Sequence, residues 1–312
     1  MQAAILRDTL AVGSDIMPVL PLNHLGDVLI PSMFGAELFV PTAMAGSLQD
    51  QGATPLAIFE HIEQADGLAV PEMSAGLMPQ IEGIIRVWQR FAPPRVDVIT
   101  PFPVGPFSLA VELRGSDFFM DLVEDPSRCH ALLTVLAETQ IRTEQHLCGC
   151  TATGKLRAIS NFGVHTEGRR LGDDSVIMLS PRMIAEFAVP HLERIAARLG
   201  PATVHFCTLA DRRSDQVFEP LAATDRIAMA STQFGFEYYA DHLDELRGRL
   251  AIEALYGDAY DYICRKHGTF RDWALDFVPR FKDESGLILF LQAPSVEAGR
   301  ALWDTWEQTH RP

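Results

Sequence analysis

Basic residues are in short supply, with 26 Lys and Arg against 41 Asp and Glu and a formal net charge of −15. A surface of that sign repels phosphate backbones and anionic headgroups, so nucleic acid and membranes are poor partners and a small-molecule substrate is expected. No stretch is long and apolar enough to span a bilayer, and Met1-Gln2-Ala3-Ala4 does not open a basic segment followed by an apolar one. A cytoplasmic chain is the expectation. Cysteine is sparse too: Cys129, Cys148, Cys150, Cys207 and Cys264 are too few, and odd in number, for a disulfide framework. A cysteine with a special role is then a ligand or a nucleophile. The sequence also lacks internal repeats, low-complexity tracts, long linkers and any Gly-rich phosphate loop after a strand. One domain spanning residues 1–312 is therefore expected, and the missing loop argues against a doubly wound dinucleotide-binding sheet.

What is present suits a large core: 47% hydrophobic and 21% charged residues over 312 positions. From about residue 95 short β-rich runs alternate with longer helical ones. Val96 to Thr100, Leu156 to Ser160, Thr203 to Cys207, Ile227 to Ser231, Leu250 to Ala254 and Leu287 to Leu291 read as strands. Asp125-Pro126 opens a helix running to about Cys148, and Ser180-Pro181 opens another that ends at Leu199 before Gly200. Both starts pair a capping residue with Pro at the first helical position. Adding Ile16 to Leu20 and Leu38 to Val40 brings the count to eight, which points to an α/β fold of the (β/α)8 TIM-barrel type. Residues 1–90, rich in Pro, Gly and Met, are expected to form an N-terminal extension over the barrel mouth together with the first barrel elements, and 91–312 the barrel.

In such a barrel the C-terminal strand ends point into the active site, and these ends are polar. After Leu156 to Ser160 come Asn161, His165 and Glu167; Thr203 to Cys207 carries His205 and Cys207; Leu250 to Ala254 carries Glu253 with Tyr256 close behind, and Gln292 follows the last strand. His205 and Cys207, two apart on a strand, project from one face and can converge on one zinc ion. A core cysteine beside a backbone-bonded histidine is the structural alternative. Asp173 and Asp174 stand before a helix start, either as a solvated loop or as metal ligands, general acids or bases, or partners of a cationic intermediate. His146, Cys148 and Cys150 fall at a helix end leading into a strand, which in a barrel is the stability face, and read as incidental. Arg169-Arg170 could pair with a carboxylated substrate, but on a loop of an acidic chain reads as a surface ion-pair element.

Gly105-Pro106-Phe107-Ser108-Leu109-Ala110 with Asp121 to Pro126, the acidic pair Asp173-Asp174, Leu179-Ser180-Pro181-Arg182-Met183 with Glu186-Phe187 and Pro190-His191, and Val204-His205-Phe206-Cys207 occur in an order and spacing that resemble the uroporphyrinogen decarboxylase superfamily. The resemblance implies a TIM-barrel enzyme and two branches of chemistry. True decarboxylases of the family grip a tetrapyrrole's carboxylates with an Arg-rich N-terminal motif, whereas Arg7 is the only arginine in residues 1–60. The corrinoid-linked methyltransferase branch uses a His-x-Cys…Cys zinc site, and His205 and Cys207 match its first two ligands. This branch implies zinc as cofactor, a corrinoid such as methylcobalamin as substrate or a corrinoid protein as partner, and Asp173, Asp174 and His165 in catalysis. Asn161, Glu167, Glu253, Tyr256 and Gln292 are the expected substrate contacts. The chain departs from the pattern after the last strand, where Gln292-Ala293-Pro294 replaces the third cysteine, and at Thr208, where glycine is common. Asp173 or Asp174 is then the expected third ligand. A metal-free lyase of a carboxylated, tetrapyrrole-like substrate and a non-catalytic corrinoid- or porphyrin-binding barrel are the alternatives. Acidic barrels of this kind often form homodimers, and no motif marks an interface.

Overall fold

A computed structural model describes residues 2–14, 19–21, 26–39, 53–93, 96–101, 103–151, 157–159, 165–207, 215–232, 249–254, 264–281, 287–289 and 293–310. Helix α1 (Gln2–Val12) and strand β1 (Val19–Pro21) are followed by α2 (Gly26–Met33), β2 (Leu38–Phe39), β3 (Thr54–Pro55), α3 (Met78–Phe91) and β4 (Asp97–Ile99). Then come α4 (Pro106–Arg114), α5 (Phe118–Glu124), α6 (Pro126–Cys150), β5 (Arg157–Ile159), β6 (His165–Glu167) and β7 (Arg169–Gly172). Helices α7 (Pro181–Met183) and α8 (Val189–Leu199) lead to β8 (Ala202–Phe206), α9 (Asp215–Ala222), β9 (Ile227–Thr232), β10 (Ala251–Ala254), α10 (Phe270–Phe281), β11 (Leu287–Leu289) and α11 (Val296–His310). No helix among the described residues is long and apolar enough to cross a membrane.

Strands β7 to β11 form one parallel sheet whose spatial order is the chain order, and β1 pairs with β4, also in parallel. A parallel bridge from Val104 to Gly172 joins the segment after β4 to β7. A doubly wound sheet reverses its strand order at a switch point. This one does not reverse among the described strands, and helices occupy the crossovers from β7 to β8, from β8 to β9 and from β10 to β11, so the described part of the mixed α/β architecture is that of a singly wound βα succession. Strand β8 is buried along its whole length, as expected of a parallel strand covered on both faces. At the chain's two ends, α1 and α11 meet, with Arg300 Nε donating to the Ala11 carbonyl at 2.8 Å.

Two expected barrel strands have other partners. Leu38–Phe39 pairs antiparallel with Thr54–Pro55, and Arg157–Ile159 pairs antiparallel with His165–Glu167. The parallel strand at that point of the chain is β7, whose Arg-Arg-Leu-Gly has no β-rich signature. Nor is Arg169-Arg170 a surface element. Both arginines are buried, and Arg169 turns out of the sheet to form an ion pair with Glu144 of α6 while donating to Thr100 Oγ1 at 2.6 Å.

Helix α6, 25 residues long, begins as its sequence dictates, with the Asp125 side chain accepting from the Arg128 backbone N–H. It buries Leu132, Leu133, Leu136, Ala137 and Ile141 against the main core. Between α7 and α8 the chain takes a π-helical turn, Ile184–Ala188, just ahead of Pro190. Proline lacks the donor for a helical bond and crowds the preceding turn, and a wider turn accommodates both. His191, behind that turn, is buried and lies 3.5 Å from His130, which stacks on Phe187. Burial first, then the charges of His130 and Arg194, hold its imidazole down to about 4. The unfolded chain takes up this proton near pH 6.5 and the folded chain only near pH 4, so stability from this group is complete above 6.5 and falls as pH drops towards 4. The loss reaches about 3 kcal/mol. Urea midpoints between pH 7 and 4 should fall less steeply in His191→Phe than in the parent chain, and equal slopes would show that this histidine is not responsible.

Candidate active site

The site forms where β7 and β8 end side by side. Gly172 pairs with His205, and His205 with Ser231 of β9. Past Gly172 the chain turns through Asp173 into a 3-10 segment, Asp174–Met178. Two backbone donors fix that turn to β8: Asp173 N–H donates to the His205 carbonyl, and Cys207 N–H to Asp174 Oδ1, both at 2.7 Å. The two neighbouring carboxylates are thereby separated.

Asp173 is fully buried and faces away from solvent. Its Oδ1 accepts from the Ser108 backbone N–H at 2.7 Å, capping the start of α4, while Ser108 Oγ accepts from Ser175 N–H at 2.9 Å. Burial raises its carboxyl to about 7 against the pull of those donors. Glu112, on α4, is raised to about 8, first by burial and then by the charges of Asp27, Asp173 and Asp174. Gly105 makes this packing possible, because a Cβ there would stand 2.4 Å from Asp173 Cγ. Gly105→Ala therefore has to displace Asp173, and with it the Asp174 turn, at a cost of about 1–3 kcal/mol of overpacking. Chemical denaturation should show that loss, and a midpoint equal to the parent's would mean that the turn yields freely.

Asp174 emerges on the other side. His205 Nδ1 lies 3.0 Å from Ser231 Oγ, which leaves Nε2 3.8 Å from Cys207 Sγ and 3.9 Å from Asp174 Oδ1. All three donor atoms lie within 4.8 Å of one another. Zinc bound by N, S and O donors at its usual lengths sets donors roughly 3.3–3.8 Å apart in a tetrahedron. The two spacings from His205 Nε2 need only a small contraction. The imidazole is also in the right state, since burial and then Arg170 hold it well below its ordinary value, keeping it neutral. Burial, followed by the charge of Asp174, pushes the Cys207 thiol up to about 12. A cation among these groups would reverse that, because coordination deprotonates a thiol outright.

Glu253 is buried on β10 in register with Ser231, and neither carboxylate oxygen has a hydrogen-bond partner among the described residues. The backbone of His165 and Glu167 lies in β6, on the hairpin, and their side chains lie outside the described residues, as do Asn161, Tyr256 and Gln292. Sequence reasoning passed over Ser231 and Glu112 and read Arg170 as a surface element. Ser231 has a faint signal, a hydroxyl directly after the apolar run Ile227 to Ala230; the other two are placed by packing alone.

A methyltransferase from Methanosarcina mazei has a similar structure, with a TM-score of 0.67 at 14% identity over 100% of this chain and 85% of that one. At that identity the likeness speaks for the fold. No curated protein matches the sequence. The model of the uroporphyrinogen decarboxylase (URO-D) family matches residues 33–229, more than half of the sequence, and spans β7, β8 and the Asp174–His205–Cys207 cluster. The chain belongs to the uroporphyrinogen decarboxylase family.

Proposed function

We propose that this chain is a methyltransferase-like enzyme with strands closed into an eight-stranded barrel, using zinc held by Asp174, His205 and Cys207 to move a methyl group from a small substrate or a corrinoid to a thiol-type acceptor. The observation that supports it is the convergence of one imidazole, one thiol and one carboxylate at adjacent strand ends, with the second imidazole nitrogen fixed by Ser231. Zinc bound there would supply a Lewis acid that keeps an acceptor sulfur as thiolate near neutral pH. The rest is the work of the chain. Ser231 sets the ring orientation of His205, as outer-shell partners do for metal-binding histidines. Asp173 holds α4 against the turn that presents Asp174 and takes no part at the mouth. In the transfer the acceptor sulfur's electron pair forms the new carbon–sulfur bond as the donor–methyl bond breaks, and that bond's pair leaves with the donor. The acceptor's proton goes to solvent or to a pocket base, for which Glu253 is the best-placed described candidate. The pocket would meet its methyl source as free corrinoid or on a corrinoid protein.

A metal-free lyase of a carboxylated substrate draws on a different observation, the buried Arg170, whose charge acts on Asp174, His205 and Cys207. Metal analysis and turnover separate the two readings. Methyl transfer predicts bound zinc in protein purified without added metal, and a thioether product from methylcobalamin and a thiol. Release of carbon dioxide from a carboxylated tetrapyrrole by zinc-free protein would overturn it.

A further inference from the structure

On α3 and α6, apart from the β7–β8 strand ends, a second set of donors converges. His146 and Cys150 stand four residues apart near the C-terminus of α6 and so share one helix face. Glu82, on α3, faces them, and its Oε1 lies 2.6 Å from His146 Nε2. The three donor atoms fall within 4.8 Å of one another. Arg86 takes the opposite oxygen, Oε2, at 3.3 Å, which leaves Oε1 turned towards the pair. Gln89 Nε2 donates to the Cys150 carbonyl at 2.9 Å, so the end of α6 is held against α3 at the height of the cysteine. All three ligand residues are partly exposed, giving an ion an entry path and room for water as a further ligand.

We infer that Glu82, His146 and Cys150 form a second transition-metal site, of zinc-like preference, that ties α3 to α6. The donor set sets the preference: a thiolate and an imidazole suit zinc, whereas magnesium and calcium demand oxygen donors. Ligation asks Glu82 Oε1 and His146 Nε2 to part from 2.6 Å to roughly 3.3 Å, a shift that two partly exposed side chains make without moving backbone. The site's role is structural. Asp174 and Cys207 follow the C-terminal ends of β7 and β8, while α6 runs back to the opposite rim, where barrel residues serve stability. Cys148, two residues from each ligand on α6, is turned to another face of the helix. The sequence marks only His146, Cys148 and Cys150; Glu82 completes the set from 64 positions earlier.

The test uses the full chain carrying His205→Ala and Cys207→Ser, so that the mouth of the barrel contributes nothing. Zinc titrated against a chelating indicator should still bind at one equivalent, and Co2+ should give a thiolate-to-metal charge-transfer band. At a hundredfold excess over Kd the melting temperature should rise by about 4–6 °C. Cys150→Ser and His146→Ala should abolish all three responses, Glu82→Gln should weaken binding at least tenfold, and Cys148→Ser should change nothing. In the otherwise unaltered chain, Cys150→Ser should remove one equivalent, which decides the matter if the double variant does not fold. No uptake in the folded double variant, or uptake that survives Cys150→Ser or follows Cys148, overturns the inference. A Glu82–His146 ion pair without a metal is the conclusion in that event. Failure at the barrel mouth would leave these results unchanged, so the two sites are judged separately.

Discussion

His205→Ala should lower kcat/KM for methyl transfer by at least about 1,000-fold, equivalent to roughly 4 kcal/mol of lost transition-state stabilisation, and should release one equivalent of zinc. The imidazole is the middle of the cluster. Its Nε2 lies 3.8 Å from Cys207 Sγ and 3.9 Å from Asp174 Oδ1, whereas Asp174 and Cys207 are otherwise linked through a backbone N–H. Removing the ring leaves two donors from different loops, too few for a catalytic zinc site that normally has three protein ligands. Ser231→Ala makes the finer distinction. It leaves every ligand in place and frees only the ring's orientation, so metal affinity should fall about 10–100-fold with partial rescue by excess zinc. Excess zinc should not restore transfer to His205→Ala. Undiminished transfer by His205→Ala with zinc content unchanged would remove the mechanism, leaving family and fold standing.

Much of the helical framework was legible because its signals are local. Asp125 caps α6 where expected, and Gly200 ends α8 at φ +95°. Strand identity was legible for β4 and for β8 to β11, all apolar runs bounded by turns. Strand partnership was not. Arg157–Ile159 has the composition of a barrel strand yet forms a hairpin, because register and pairing depend on what lies alongside. Conversely, Arg169-Arg170-Leu171-Gly172 looks like a solvated loop and is a buried strand, since Glu144, 25 positions earlier in the chain, supplies the counter-charge. The site divides in the same way. The pairing of His205 with Cys207 follows from strand periodicity. Which of Asp173 and Asp174 joins them does not, for adjacent residues differ only in the backbone turn that sends one towards α4 and the other towards the mouth. Ser231 required the β8–β9 register.

The largest stability effect is expected at that buried pair. Arg169 is 3% and Glu144 1% exposed, and Arg169 also donates to Thr100 Oγ1 at 2.6 Å and to the Pro101 carbonyl at 3.3 Å. Arg169→Met keeps the apolar stem and leaves Glu144 as an uncompensated charge, which should cost about 3–5 kcal/mol. Glu144→Gln should cost less, because Thr100 and Pro101 still engage the guanidinium. The double variant Arg169→Met/Glu144→Leu should recover much of the loss, since paired apolar replacements avoid desolvation altogether. The pH dependence has a definite sign. Burial already raises the Glu144 carboxyl while Arg169 opposes the rise, so deleting Arg169 raises it further. A carboxyl higher in the folded than in the unfolded chain loses stability as pH climbs above the unfolded value. Arg169→Met should therefore be closest to the parent chain in mild acid and most destabilised near pH 8. Urea unfolding at the two pH values measures this directly, and a uniform loss below about 1 kcal/mol would mean that water reaches Glu144 and that the pair is only a surface contact.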